Sequence, residues 1–131
     1  MKTLQKKYLW ITLTGIILLS VLFQLLPTPI DMNLDKVGNG KAALVFIYDP
    51  NLASSNEQSV EINKVRQQLG DSVNLLVAKA GDPTSADFRQ QHQARPADIL
   101  FFDINGELIK RDIAVIGAAE LVTILTSSNP H

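Results

Sequence analysis

Apolar and polar positions alternate in blocks along the chain, and the blocks predict its elements. Residues 8–26 (YLWITLTGIILLSVLFQLL) run for nineteen positions without a charge. At about 1.5 Å per residue such a helix spans close to the roughly 30 Å hydrocarbon core of a bilayer. A second unbroken apolar run, residues 42–48 (AALVFIY), has the length of a strand and predicts one buried on both faces. Asp49-Pro50-Asn51 ends it, because proline cannot donate to a ladder and Asp and Asn favour turns. Ser54-x-x-Glu57 and Ser55-x-x-Gln58 each fit a capping box, in which the serine hydroxyl accepts from a free N–H of the starting helix. Residues 56–69 then place Val60, Ile62, Val65 and Leu69 at helical spacing with charges between, an amphipathic helix stopped by Gly70.

The remaining pattern is shorter in period. Residues 73–78 predict a second buried strand, Gly81-Asp82-Pro83-Thr84 breaks the chain, and residues 85–93 predict a short polar helix with Phe88 inward. Arg95-Pro96-Ala97 leads a third strand over 98–103. Asn105-Gly106 signals a hairpin, and residues 107–112 return as a short charged edge strand. Leu121, Val122 and Leu125 give residues 118–126 one apolar helical face.

Charge sets the orientation of the first block. Lys2, Lys6 and Lys7 precede it with no acid, while Asp31 and Asp35 follow it with only Lys36 nearby. The positive-inside rule then places the N-terminus in the cytoplasm and the rest across the inner membrane, facing the periplasm or cell exterior. Tyr8 and Trp10 stand where interfacial aromatics belong. A cleaved signal peptide is the rival reading, but the apolar run exceeds the usual 7–15 residues and no A-x-A-like site follows. Thr12, Gly15 and Ser20 could admit a second helix, although hydroxyls bonded back to their own helix explain the two polar positions as well. The expected organisation is a cytoplasmic N-terminus (1–7), a signal-anchor helix (8–26), a linker (27–40), one domain (41–127) and a tail (128–131).

The 12 Lys/Arg and 13 Asp/Glu leave residues 31–131 at nine basic against thirteen acidic groups, a net of −4. A mildly acidic domain without a basic run is not built to neutralise phosphates, so nucleic acid is not an expected partner. The chain has no cysteine, which removes disulfides, zinc–thiolate sites and thiol catalysis together.

The element order β-α-β-α-β-β-α is expected to comprise two right-handed crossovers and an antiparallel hairpin edge. This order, with Pro96 leading the third strand, Asn105-Gly106-Glu107 after it and Gly117 before the last helix, resembles the thioredoxin fold over residues 41–126. The likeness is to membrane-tethered periplasmic thioredoxin-like proteins. It implies a three-layer α/β/α sandwich around a mixed four-stranded sheet. It also implies a Trp-Cys-x-x-Cys loop after the first central strand, and there the chain departs. Asn51 falls at the tryptophan, Leu52 at the first cysteine and Ser55 at the second. Thiol–disulfide exchange needs a thiolate, so dithiol oxidoreductase activity is not expected and the chain is not read as an enzyme. The family also places a cis bond before its proline. A cis Arg95-Pro96 is therefore expected, although Ala97-Asp98 makes the lead into the strand one residue longer than in the family.

No other chemistry replaces the sulfurs. Ser54 and Ser55 are accounted for as helix caps, and a nucleophilic serine would need a base within hydrogen-bond reach. His92 is expected as an exposed helix residue and His131 lies on the tail. Asp49, Asp82, Asp87, Asp98 and Asp103 are scattered, without the alternation of a calcium loop, and read as turn formers. Gly38-Asn39-Gly40 and Gly81 carry no phosphate-loop pattern. No metal and no cofactor is expected. The resemblance leaves a groove beside the proline that pairs with extended backbone and does not depend on cysteine, and it would be lined by Leu52, Ala53, Ser55, Arg95 and Pro96. The expectation is a membrane-anchored, redox-inactive domain that binds or scaffolds another envelope protein. Two alternatives stand beside it: an accessory component of an envelope thiol-redox or cytochrome-assembly pathway using a partner's cysteines, and a structural subunit of a membrane complex.

Overall fold

The computed structural model describes residues 2–24 and 29–128. Leu25, Leu26, Pro27 and Thr28 lie outside the described residues, as do Asn129, Pro130 and His131, so the end of the expected span, part of the linker and most of the tail fall there.

Helix α1 (Lys2–Gln24) starts earlier than the uncharged run, because Lys, Gln and Leu at positions 2–7 are good helix formers with no glycine or proline among them. Residues 3–24 have mean hydropathy 1.5 and none is buried in the rest of the protein, so α1 is long and apolar enough to cross a membrane. Its hydroxyls turn back to its own carbonyls: Thr12 Oγ1 donates to Tyr8 O and Leu9 O (both 2.9 Å) and Ser20 Oγ to Ile17 O (2.9 Å). No polar group on these residues then needs a second helix.

The domain is built on β1 (Ala43–Tyr48), which pairs in parallel with β2 (Asn74–Lys79) on one side and antiparallel with β3 (Asp98–Phe102) on the other. Strand β4 (Leu108–Ile113) closes the order β2-β1-β3-β4. The run of apolar residues in β1 now has its reason. Leu44 and Phe46 face one core with Ile62, Val65, Leu121 and Leu125, while Val45 and Ile47 face a second with Leu76, Leu100 and Phe102. Helices α2 (Ala53–Leu69) and α4 (Ala118–Ser127) supply the first layer, and α3 (Ala86–Gln91) supplies Phe88 to the second. The result is the expected α/β/α sandwich.

Two expectations change. First, only one crossover exists, because β3 runs antiparallel to β1. The connection through α3 brings the chain back to the end of the sheet that β2 leaves, where Ala80 N donates to Tyr48 O (2.8 Å) and Ala97 N to Ile47 O (2.9 Å). Second, the part of the expected linker that the structure describes is laid on the domain. Asp31 bridges to Leu76 at the outer edge of β2, with Val77 N donating to Asp31 O (2.8 Å). Asn74 Nδ2 donates to Lys36 O (3.1 Å) and Asn39 Oδ1 (2.8 Å), and Leu34 and Val37 pack on the second core. An unpaired sheet edge and two apolar side chains are what turn this polar stretch into structure.

At the other side, β4 is exposed except at the half-buried Asp112 and is blunted as a pairing edge. The register slips between Phe101 and Phe102, and Ile113 N–H is taken by Asp112 Oδ1 (2.9 Å). The hairpin turn rests on Gly106, whose φ of +84° suits glycine. A Cβ there would stand 3.0 Å from Gly38 Cα. Gly106→Ala should therefore cost about 1–3 kcal/mol, read as a lower urea midpoint, through backbone strain and loss of the close approach to residue 38.

Candidate functional site

The loop after β1 and the turn before β3 lie at the same end of the sheet, where Ala97 N donates to Ile47 O. The loop is fixed from within. Asp49 Oδ1 accepts from Asn51 N (2.9 Å), Asp49 O from Leu52 N (3.1 Å), and Ser55 Oγ from Asp49 N (3.0 Å). Tyr48 Oη adds a bond to Asn56 Oδ1 (3.0 Å). Leu52 is the N-cap of α2 and makes no side-chain cap bond, so neither serine caps the helix, which begins at Ala53. The capping boxes fail because Ser55 is fully buried in the first turn, with its hydroxyl spent on the preceding loop. For the same reason Ser55 does not line a surface groove, whereas Leu52 and Ala53 are exposed.

The turn over 95–98 differs from the expected cis-proline bend. Among the described residues the one cis peptide is Ala114-Val115, and Arg95-Pro96 is trans. The additional residue takes the bend instead: Pro96 occupies the second position and Ala97 the third, with φ +73°, the sign a type II turn requires. Asp98 N donates to Arg95 O (3.0 Å), and Asp98 Oδ2 accepts from Arg95 N (2.8 Å) and Arg111 Nη1 (3.3 Å). Ala97 N donates to Ile47 O (2.9 Å), which ties the turn to the end of β1. Arg95 and Pro96 are exposed, and the Asp98 carboxylate that holds them is buried. Four of the five expected groove residues thus lie on the surface of two braced segments at one sheet end, and Ser55 braces one of them from below.

His92 is not the exposed helix residue expected. Its ring lies against Phe88 (4.5 Å between centroids) and Phe102 (5.2 Å), and its carbonyl accepts from Arg111 Nη2. This packing is on the second core, whereas Ile62 and Val65 of α2 face the first, so Ser55 and His92 belong to opposite layers. Three of the scattered aspartates are turn formers: Asp49, Asp82 and Asp103 each accept through Oδ1 from the N–H two residues on.

Sequence reasoning missed a clamp on the other side of α2. Gln58, fully buried, donates Nε2 to Ile116 O (3.0 Å) and accepts from Ile116 N (2.7 Å). Glu61 Oε2 accepts from Ala118 N (2.8 Å). A polar residue on the apolar stripe of α2 was the available signal, but its partner lies 58 residues away.

Among the described residues, four ionisable groups are displaced in one direction. Asp31 is held below the ordinary carboxylate range by the Lys36 ammonium, Glu61 by Lys64 and then the Ala118 N–H, and Asp82 by the backbone and side chain of Thr84. Burial, and then the charge of Arg111, lowers His92. Each group binds fewer protons folded than unfolded, so each contribution is present above the unfolded pKa and is lost as pH falls through the folded one. Urea midpoints should therefore fall in two stages on acidification. The first lies below about pH 6.5 and should be absent in His92→Gln; the second lies below about pH 4, where the carboxylates protonate.

No protein-family model and no curated protein sequence matches the chain. Solved structures do, and they define a thioredoxin-like fold. An uncharacterized thioredoxin-like protein from Clostridium perfringens superposes with a TM-score of 0.67 at 17% identity, covering 76% of this chain and 79% of that one. Thioredoxin-2, a component of the malaria parasite's protein secretion machinery, gives 0.59 at 14% identity (66% and 82%). Trxlp from Edwardsiella tarda gives 0.56 at 17% identity (70% and 87%).

Proposed function

We propose that the chain is a single-pass inner-membrane protein whose thioredoxin-like domain faces the periplasm or cell exterior and acts by binding another envelope protein, without thiol chemistry of its own. The observation that carries this reading is the position of Leu52. It stands at the N-cap of α2, where the resemblance to the family places the first cysteine, in a loop braced by Ser55 and at the same end of the sheet as a turn braced by Asp98. The loop is ordered and presents an apolar side chain where a nucleophile would be, and with no sulfur it can contribute contacts only. Ala53, Arg95 and Pro96 extend the surface. The lysines in the first two turns of α1, ahead of its uncharged run, and the acids after it support the orientation.

Site-specific photocrosslinking of the full chain in its membrane tests this directly. A photoreactive residue at position 52 or 95 should capture the same protein, and one at Lys41, before the opposite end of β1, should not. Capture from Leu9 or Ile16 in α1 alone would assign the function to the membrane helix instead.

A further inference from the structure

Val60 on α2 and Val115 in the loop before α4 are 55% and 46% exposed, and both line one groove of about 480 Å³ with Glu57, Glu61 and Gly117. The groove is held in shape. Gln58 clamps both backbone polar groups of Ile116, and Glu61 takes the N–H of Ala118, so Ile116 is turned into the core and Val115 is left facing out. Aliphatic side chains in water on both walls of one fixed groove differ from single apolar residues scattered over a surface. The two acids are not equivalent. Glu61 is committed to Lys64 and Ala118, while the Glu57 carboxylate has no hydrogen-bond or ion-pair partner among the described residues. The net charge of −4 over residues 31–131 has the same sign.

We infer that this groove is a second docking surface, whose occupant is an extended segment of a partner protein that sets an aliphatic side chain between Val60 and Val115 and a lysine or arginine against Glu57. It uses none of Leu52, Ala53, Arg95 and Pro96 and does not depend on the orientation of the chain in a membrane. Apolar burial supplies the attraction, and the unpaired carboxylate selects a basic neighbour over an acidic one.

The test is methyl NMR of the full chain in detergent micelles, titrated with a six-residue peptide alternating valine and lysine and with its valine–glutamate counterpart. The lysine peptide should shift the Val60 and Val115 methyls saturably and bind more tightly than the glutamate peptide. Glu57→Lys should weaken the lysine peptide about threefold and reverse the order of the two. Gly117→Leu should abolish the shifts with the fold intact, because φ at Gly117 is −67° and nothing stands within 4 Å of a Cβ there. The inference is overturned if the two valines do not shift, if both peptides act equally, if Gly117→Leu binds as before, or if the shifts are confined to Ile109 and Ile113 of β4.

Discussion

Gln58→Ala should destabilise the domain by about 3–5 kcal/mol, the largest expected effect of a single substitution outside the apolar core. Two contributions add. The N–H and C=O of Ile116 would both lose their partner in a region closed to water, at about 1–3 kcal/mol for each unsatisfied group. The vacated volume between α2 and the loop over 114–117 would also cost, since Gln58 is among the largest fully buried side chains. Gln58→Met separates the two, because it refills most of the volume without hydrogen bonds. It should retain a loss of about 2 kcal/mol in urea unfolding. A methionine variant as stable as the wild type would show that the clamp contributes nothing through its polar atoms.

The paired substitution Leu52→Cys with Ser55→Cys should bring back chemistry the natural chain lacks. The two positions flank the first turn of α2, with Ser55 N donating to Leu52 O (3.1 Å), and residues three apart on a helix are neighbours. A thiol at position 52 would sit at a helix N-terminus, where the free N–H groups favour a thiolate and lower its pKa from about 8.5. The double variant should form an intramolecular disulfide on mild oxidation and show disulfide-reductase turnover. The wild-type chain, assayed free of contaminating thioredoxins, should show none. Ser55→Cys alone controls for the weaker bond to Asp49 N. A folded double variant with two persistently free thiols would mean that the loop does not have the family's geometry.

Most of the fold was legible in the sequence because its signals are local. The run over 42–48, the period of α2, the Asn105-Gly106 turn and the apolar face of α4 each depend on neighbours within a few positions. The departures depend on distant ones. Ser54 and Ser55 read as caps because cap chemistry is local, but Ser55 is claimed by Asp49 once α2 packs under the loop. The stretch over 29–40 is rich in polar and glycine residues, and it becomes structure because β2 offers an open edge and the two cores take Ile30, Leu34 and Val37. Pro96 marked the right place for a bend, but which bond bends was set by Ala97 and by the Asp98 carboxylate. At the end of β1, the exposure of Leu52, Ala53, Arg95 and Pro96 follows from the element order. The bracing residues do not follow from it, because bracing is a tertiary property.

The measurement that bears most directly on the central claim is partner capture by full-length variants from crosslinked membranes, compared at equal expression. Leu52→Asp places a favoured N-cap residue at the start of α2, and Arg95 contributes its backbone rather than its side chain to the turn, so both variants should fold with nearly unchanged melting temperature. Each should lower capture several-fold, and replacing α1 by an unrelated membrane helix should leave capture unchanged. Full capture by both variants, together with its loss when α1 is replaced, would rule out the domain surface and move the function into the membrane.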